Sequence, residues 1–339
     1  MNELNVAVIG CGGWGPNHVR NFATLPGSKV VAIADLDAER LRRMAEMWPG
    51  IALERDWRRL LTTDAIDAVV VATPTSTHGQ IVREALEAGK HVLCEKPLCI
   101  LSDEARALAA LAVQSRRVLM VGHVFLFNAG IVKLRELVSS GELGELRYLS
   151  AVRTNLGPFR SDVNVAYDLA AHDISIFNWI LGAPPEHASA SGGSYLHAGV
   201  EDVVFASLQY PDNRLASIEV SWLNPRKVRQ ITVVGSRKMA TWNDLELTTP
   251  IAIYDSGAAT EPDYGDYGEF LRVSMWEKDV HLPKVRMEEP LKVQARSFLQ
   301  AVRGEHPVIS DGEFAAGVVA TLEAISKSLR SGNAMVPVR

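Results

Sequence analysis

Three glycines near the amino terminus, Gly10, Gly12 and Gly15, constrain this chain more than any other feature. They lie in the stretch VAVIGCGGWGPNHVRNF, directly after a short apolar run, Leu4–Ile9, that reads as a buried strand. After them His18, Val19, Phe22 and Ala23 recur at helical spacing. A second apolar run, 29–34, ends in Asp35, twenty residues after Gly15. A glycine triplet alone is common and also serves as a structural turn; strand before, helix after and acid beyond make it a dinucleotide-binding pattern. The first glycine permits the tight turn, the second lets main chain approach a pyrophosphate, and the third lets helix and strand pack closely. The phosphates then meet N–H groups at a helix N-terminus. Asp35 is suited to accept hydrogen bonds from both ribose hydroxyls, and its charge repels a 2′-phosphate. Leu36 brings no cation to offset that repulsion, so the expected cofactor is NAD rather than NADP. Gly13 and Trp14 belong to the same expected cofactor loop.

The rest of the composition fits a catalytic rather than a nucleic-acid or membrane role. The chain has 339 residues, 47% hydrophobic and 22% charged, enough for two substantial cores. A net charge of −5 without a basic cluster argues against nucleic acid as a partner. No apolar stretch approaches the roughly 18 residues a membrane helix needs, and the first residues lack the basic region of a signal peptide. Three cysteines (Cys11, Cys94, Cys99) form no C-x-x-C pair and suit a reducing, cytoplasmic setting.

The first 120 residues alternate candidate strands (4–9, 29–34, 68–73, 91–94, 118–121) with helical stretches (16–25, 37–48, 78–88, 103–115). This is the βαβ rhythm of a doubly wound parallel sheet. Ser102 followed by Glu104 reads as a capped helix start. The character changes near residue 125. A helix over 129–140 ends at Gly141, a strand-like run covers 146–154, and Tyr167–Leu181 has helical periodicity up to the terminator Gly182-Ala-Pro-Pro. Alternating runs at 202–210, 214–223, 228–235 and 245–254, with turns at 211–213 and 235–236, predict an antiparallel sheet. The stretch 255–289, rich in Asp, Gly, Tyr and Pro, reads as a loop, and helices over 290–303 and 313–331 close the chain.

Four further segments carry chemistry-bearing residues. Thr73, Pro74, Thr75, Ser76, Thr77 and His78 follow an apolar strand, and ligands of such sheets lie off the carboxyl ends of strands. Thr73, Pro74, Thr75 and His78 are therefore candidate cofactor contacts, although Ser76 or Thr77 also suits a helix cap. Glu95, Lys96 and Pro97 stand at another strand's end, where a lysine points at the crevice expected to hold the nicotinamide. Desolvation and the positive ring would lower its pKa, whereas an ordinary surface lysine is simply solvated. Asp168 and His172 are four apart on a predicted helix and share a face; a carboxylate beside a histidine orients the ring and raises its basicity. An ordinary helix-surface pair is the competing reading. A metal site would need a third ligand at suitable spacing, and none is found, so no metal is expected. Asp173 is read as structural. The segment Val152–Asp162 places Arg153, Asn155, Arg160 and Ser161 between strand and helix, either lining a sugar or phosphate pocket or forming a solvated loop. His123 and Asn128, in GHVFLFN, lie at the proposed domain junction and are candidate substrate contacts, with a satisfied structural histidine as the alternative.

Taken together, G-C-G-x-W-G, the tripeptide Glu95-Lys96-Pro97 and the D-x-x-x-H pair Asp168/His172 resemble the glucose–fructose oxidoreductase/inositol dehydrogenase (Gfo/Idh/MocA) family over essentially the whole chain. The resemblance implies an α/β protein: an N-terminal Rossmann domain (1–124) with a doubly wound parallel sheet, then an α+β substrate and oligomerisation domain (125–339) with a large, open-faced, mostly antiparallel sheet. It also implies a homodimer or homotetramer. Lys96 then falls in the catalytic region, His172 is the acid/base, and Asp168 is its partner or a substrate ligand. GCGGWGPNHVRNF, GHVFLFN and NLGPFRSDVNVAYDLAAHDISI are most similar to the branch acting on nucleotide-linked amino sugars. The expected reaction is NAD-dependent oxidation of the 3-hydroxyl of UDP-N-acetylglucosamine, feeding lipid A or polysaccharide synthesis. A dTDP-sugar ketoreductase, an inositol dehydrogenase and a non-catalytic NAD sensor are the alternatives. Tyr167 stands where the family more often has tryptophan, and Ala171 where it more often has proline. Both changes bear on pocket shape rather than on proton transfer.

Overall fold

Apolar runs bounded by glycine, aspartate and proline become the strands of a six-stranded, all-parallel sheet: β1 (Leu4–Ile9), β2 (Ser28–Ala34), β3 (Ala52–Glu54), β4 (Ala68–Val71), β5 (His91–Glu95) and β6 (Leu119–Gly122). The strand order is β3-β2-β1-β4-β5-β6, so the direction of winding reverses between β1 and β4. Those two strands pair from Val6↔Ala68 to Ile9↔Val71, and every residue of that register is buried. A strand covered on both faces reads as a continuous apolar run, which is why these were legible in sequence. The intervening helices are α1 (Gly15–Thr24), α2 (Ala38–Met47), α3 (Arg58–Leu61), α4 (Thr75–Glu87) and α5 (Ser102–Ser115). β3 and α3 were not anticipated, because three and four residues are too few to show a period. The capped start expected at Ser102 is not built from its own side chain; the Ser102 N–H donates instead to Glu323 Oε2 at 3.0 Å.

The computed structural model describes residues 3–160, 162–265 and 268–339. They cluster into two compact units, one running to Phe127 and including Glu288–Glu323 and Arg339, the other comprising Asn128–Met287 and Ala324–Val338. The first unit thus takes in a C-terminal segment in addition to the 1–124 read from sequence.

In the second unit, α6 (Ala129–Ser139), β7 (Leu146–Leu156) and α7 (Ala171–Leu181) are followed by β8 (His187–Gly193), β9 (Val203–Tyr210), β10 (Arg214–Ser221), β11 (Leu223–Gly235), β12 (Met239–Asn243), β13 (Ile251–Gly265) and β14 (Gly268–His281). With β15 (Val336–Pro337) they make a nine-stranded sheet ordered β14-β13-β12-β11-β7-β10-β9-β8-β15. Among the described residues of this sheet only β7 and β10 pair in parallel; the remaining ladders are antiparallel. Period-two alternation puts Val204, Ala206 and Leu208 of β9 and Ala216, Ile218 and Val220 of β10 in the core, while Phe205 and Leu215 face outward. Each fully buried Val, Leu or Ile contributes about 1.5–3 kcal/mol against exposure. β8, β12 and β15 are additions to the expected strands.

The loop expected over 255–289 is corrected. Apart from residues 266–267, outside the described residues, most of it is the β13–β14 hairpin, paired from Ile253↔His281 to Gly265↔Gly268. Polar, glycine-bearing composition reads as loop, yet a ladder is made by main chain and needs only a partner strand. Gly257 lies opposite Trp276, and a Cβ there would sit 2.3 Å from the indole ring, so glycine gives the ring its place across the strand. The chain ends with α8 (Pro290–Val302) and α9 (Gly312–Arg330). No helix among the described residues is long and apolar enough to cross a membrane.

Candidate active site

In the first unit the strand ends, rather than long loops, present the candidate cofactor residues. Gly10 has φ +96°, and a Cβ there would lie 2.7 Å from Ala72 O; a Cβ on Gly15 would lie 1.9 Å from Gly10 O. These two positions accept only glycine, the first for backbone conformation and both for close packing. A Cβ on Gly13 would meet nothing within 4 Å, so the loop's outer surface is open, and Trp14 is half exposed beside it. α1 and α4 both begin without a side-chain cap, at Trp14 and Pro74, leaving their first turns suited to an anion. The cap offered by Ser76 or Thr77 does not form; Thr77 Oγ1 lies 2.8 Å from Pro74 O and 2.7 Å from Thr73 Oγ1. Asp35 accepts from Cys11 N–H at 2.6 Å and Asp37 N–H at 2.8 Å, which fixes its carboxylate beside the glycine turn. Burial, and then the Asp35 charge, push the Cys11 thiol up to about 12. The glycine cradle and the fixed carboxylate fit an NAD molecule: Gly10–Gly15 would hold its pyrophosphate and Asp35 its ribose.

Two buried histidines brace the Glu95-Lys96-Pro97 turn that ends β5. His18 of α1 sets Nε2 2.8 Å from Glu95 Oε1, and Glu95 Oε2 accepts from Lys96 N–H at 3.2 Å. Burial works against the Glu95 charge, but the His18 hydrogen bond and the charges of His18 and Lys96 outweigh it and hold the carboxyl below its usual range. A Cβ on Gly122 would come within 3.2 Å of the Glu95 carboxylate, so glycine at the end of β6 makes room for it. His78, expected to touch cofactor, is instead 1% exposed, with Nδ1 2.9 Å from Pro97 O and Nε2 2.9 Å from Thr73 O. It ties the loop after β4, with Thr73, Pro74 and Thr75, to the loop after β5. His123 is buried against the edge of Phe314, ring centroids 5.8 Å apart. It is not the satisfied structural histidine: neither ring nitrogen has a hydrogen-bond partner among the described residues. Burial, and then the charge of Lys96, push its pKa down to about 3, so the ring is neutral at physiological pH.

In the second unit the Asp168/His172 helix differs from the sequence expectation. Residues Ala166–Ala170 form a π turn, with Ala171 N–H reaching Ala166 O, before α7 begins. The wider turn alters the angular step between Asp168 and His172, so plain α-helical spacing does not describe their relation. Asp168 Oδ2 accepts from Trp222 Nε1 at 3.0 Å and Oδ1 from Arg160 Nη1 at 3.3 Å. Arg160 also forks onto Asp162 at 2.9 and 2.6 Å, so one guanidinium serves two carboxylates. Phe159 stands edge-on to Trp222 at 6.5 Å, and Gly157 N–H donates to Trp222 O at 3.0 Å. Ser161 lies outside the described residues. Trp222 is the residue sequence reasoning missed here, and His18 the one missed in the first unit. Each meets its partner across 54 and 77 positions, a separation no local pattern records.

Three expected substrate contacts have other partners. Arg153 is 1% exposed and clamps Asp173, from Nε at 3.0 Å and Nη2 at 2.7 Å, in a buried ion pair that joins β7 to α7. Asn128 caps α6, its side chain accepting from Gly130 and Ile131 N–H at 2.9 and 3.4 Å. Asn155 turns its amide onto Gly157 O. Polarity in sequence marked all three, but burial and local caps explain them.

Known proteins resemble this chain in sequence and fold. Residues 4–123 match the oxidoreductase family, NAD-binding Rossmann fold, and 131–241 the GFO/IDH/MocA C-terminal domain. Inositol 2-dehydrogenase 2 of Paenarthrobacter aurescens is 34% identical over 228 residues, 64% of this chain and 68% of that one. UDP-N-acetylglucosamine 3-dehydrogenase of Acidithiobacillus ferrooxidans is 29% identical over 319 residues, 92% of this chain and 93% of that one. Among solved structures, GenD2 from gentamicin A biosynthesis, in complex with NAD, superposes with TM-score 0.83 at 25% identity, covering 100% of this chain and 97% of that one. With both of its domains matched, the chain belongs to the Gfo/Idh/MocA family and is an NAD-dependent oxidoreductase.

Proposed function

We propose that this protein oxidises a ring secondary alcohol of a nucleotide sugar, with the 3-hydroxyl of UDP-N-acetylglucosamine as the leading substrate and the 3-keto sugar as product. The observation that carries this reading is the similarity to UDP-N-acetylglucosamine 3-dehydrogenase, which runs through more than nine-tenths of both chains. The 34% identity to an inositol 2-dehydrogenase supports a cyclic polyol as the second reading.

Bound nicotinamide supplies the hydride acceptor. In the proposed roles, Lys96 donates a hydrogen bond to the oxygen that becomes alkoxide-like and stabilises its charge. His172 takes the hydroxyl proton at a ring nitrogen, and Asp168 orients and stabilises the imidazolium that results. Arg160 is proposed to bind the substrate's anionic part and His123 to give or accept a hydrogen bond beside Lys96. Gly10, Gly12, Gly13, Trp14, Gly15, Asp35, Thr73, Pro74 and Thr75 are proposed to hold the cofactor. The buried, free cysteines support a reducing, cytoplasmic setting, and the broad sheet of the second unit supports assembly as a homodimer or homotetramer.

The test follows NADH absorbance with NAD⁺ and, separately, UDP-N-acetylglucosamine, a dTDP-deoxysugar and myo-inositol. Reduction with the UDP-sugar alone supports the first reading, reduction with inositol alone replaces it with the second, and NAD binding without turnover on any sugar favours a sensor.

A further inference from the structure

β5 ends in a carboxylate that is held ionised although it is nearly enclosed. Glu95 is 12% exposed at its side chain, and each of its oxygens has a donor: Oε1 lies 2.8 Å from His18 Nε2, and Oε2 accepts from Lys96 N–H at 3.2 Å. Glu95 pairs with Gly122 across β5 and β6, and a Cβ on that glycine would come within 3.2 Å of Oε2. The carboxylate thus fills space that only glycine leaves. A carboxylate oxygen only accepts, so His18 Nε2 carries a hydrogen whether the ring is neutral or charged.

His18 is 1% exposed, and its Nδ1 has no hydrogen-bond partner among the described residues. An apolar side chain would fill the same space without an unpaired buried nitrogen, so what the imidazole adds here is its bond to Glu95. His18 belongs to the opening of α1, where its N–H donates to Trp14 O at 3.1 Å. The helix that follows the glycine turn is therefore joined to the turn after β5 by two hydrogen bonds, His18 to Glu95 and Lys96 N–H to Glu95. Burial alone favours the neutral acid at Glu95, and the His18 bond leads the effects that oppose it. The other titratable groups that feel the Glu95 charge are the neutral ring of His123, which also feels that of Lys96, and the buried Cys94 thiol.

We propose that His18 is a positioning residue for Lys96: its Nε2–H holds the Glu95 carboxylate against the Lys96 main chain, and that carboxylate keeps Lys96 as the ammonium that donates to the substrate oxygen. The inference rests on the role proposed for Lys96. An ammonium beside the positive ring of NAD⁺ is driven to lose its proton, and a fixed carboxylate opposes that loss. Glu95 released from His18 takes up a proton toward neutral pH, because burial favours the acid form, and Lys96 then loses its counter-charge.

The test is competitive acylation of the full chain with acetic anhydride, read at Lys96 by mass spectrometry, which needs no knowledge of the sugar. The readout is Lys96 labelling at about pH 6 relative to about pH 10, since only the free amine reacts. It is compared in the unaltered chain, His18→Leu, His18→Gln, Glu95→Gln and His18→Leu with Glu95→Gln, with His18→Met replacing the leucine variant should that fail to fold. The ratio should rise at least about threefold in His18→Leu and in Glu95→Gln, and stay near the parent value in His18→Gln, which keeps a donor N–H. In the double variant it should rise no further than in Glu95→Gln alone, because His18 acts through Glu95. With whichever sugar is turned over, His18→Leu should lower kcat at least about tenfold at about pH 6 and less at about pH 8, with NADH affinity retained. A labelling ratio unmoved in His18→Leu, one that rises equally in His18→Gln, or one that rises further in the double variant overturns the inference. Absence of turnover on every sugar counts against the proposed function and leaves the labelling ratio to decide the inference.

Discussion

The strand-end loops of the first unit and the Leu156–Ala170 segment of the second both gather candidate site residues, but they are built from different material. In the first, main chain does the shaping. Gly10 and Gly15 exist because carbonyls lie where a Cβ would be, and the turn after β5 is held by His18 and His78 through main-chain and carboxylate acceptors. In the second, side chains shape one another: Arg160 spans Asp162 and Asp168, Trp222 reaches Asp168 from the end of β10, and Arg153 is paired with the buried Asp173. A main-chain constraint admits no substitute residue, whereas a side-chain network can in principle be rebuilt with other side chains. That difference is testable.

The largest effect is expected at the buried pair. Arg153→Met leaves the Asp173 carboxylate buried without its partner and should cost about 3–5 kcal/mol of stability, read as a lower midpoint in urea unfolding. Arg153→Met with Asp173→Leu should recover most of that loss, because a buried pair replaced whole by apolar groups is often neutral. A double variant as unstable as the single one would show that the second unit tolerates rebuilding no better than the first.

Gly10→Ala should behave in the opposite way. Its cost, about 1–3 kcal/mol from the left-handed backbone together with the clash at Ala72 O, should appear as weakened NADH binding by titration. Trimming a neighbouring side chain, Thr73→Ser, should not restore it, since the obstacle is main chain. Restoration would mean that Thr73 Cγ2, 3.0 Å from the same Cβ position, was the true obstacle.

A smaller effect is expected from Trp222→Phe. It removes one donor to Asp168 while leaving Arg160, and should lower turnover by about tenfold, the scale of one hydrogen bond to a charged group, with NADH affinity unchanged. Equal loss of NADH affinity would count against the role proposed for Asp168 in turnover.

The smallest effect is a pH dependence seated in the first unit. Burial, and then the Arg117 guanidinium, push His91 down to about 4 from its ordinary 6.5, and its Nδ1 accepts from Val118 N–H at 3.0 Å. A histidine kept neutral by folding contributes stability that is complete above about pH 6.5 and is lost as pH falls through about 4. His91→Asn should therefore flatten the fall in melting temperature across that window. A profile unchanged from that of the parent would assign the dependence to His123, displaced downward in the same sense.

The same contrast explains what could be read from the chain before its structure. The glycine loop, Asp35, and the strands β1, β2, β4, β5 and β6 were legible because a buried parallel strand is a local apolar run and a main-chain constraint is written as glycine. Lys96 was picked out as a candidate because it directly follows such a strand. Trp222 and His18 were not, since each acquires its meaning from a partner on another element. Asp168 and His172 were found by spacing, but the π turn between them was not, because a single wide turn leaves no periodic trace. The β13–β14 hairpin was read as loop because its pairing partner, rather than its own composition, makes it a sheet.

Lys96 and His172 are proposed to handle the proton of a ring alcohol. The most direct test of those roles is the rate of NADH formation from NAD⁺ and UDP-N-acetylglucosamine, or from myo-inositol, in the unaltered chain, Lys96→Ala and His172→Ala, with NADH affinity measured on each. Turnover is expected in the unaltered chain, with a loss of at least about tenfold in kcat in each variant and NADH binding retained. Turnover at near-normal rates in both variants would contradict those roles.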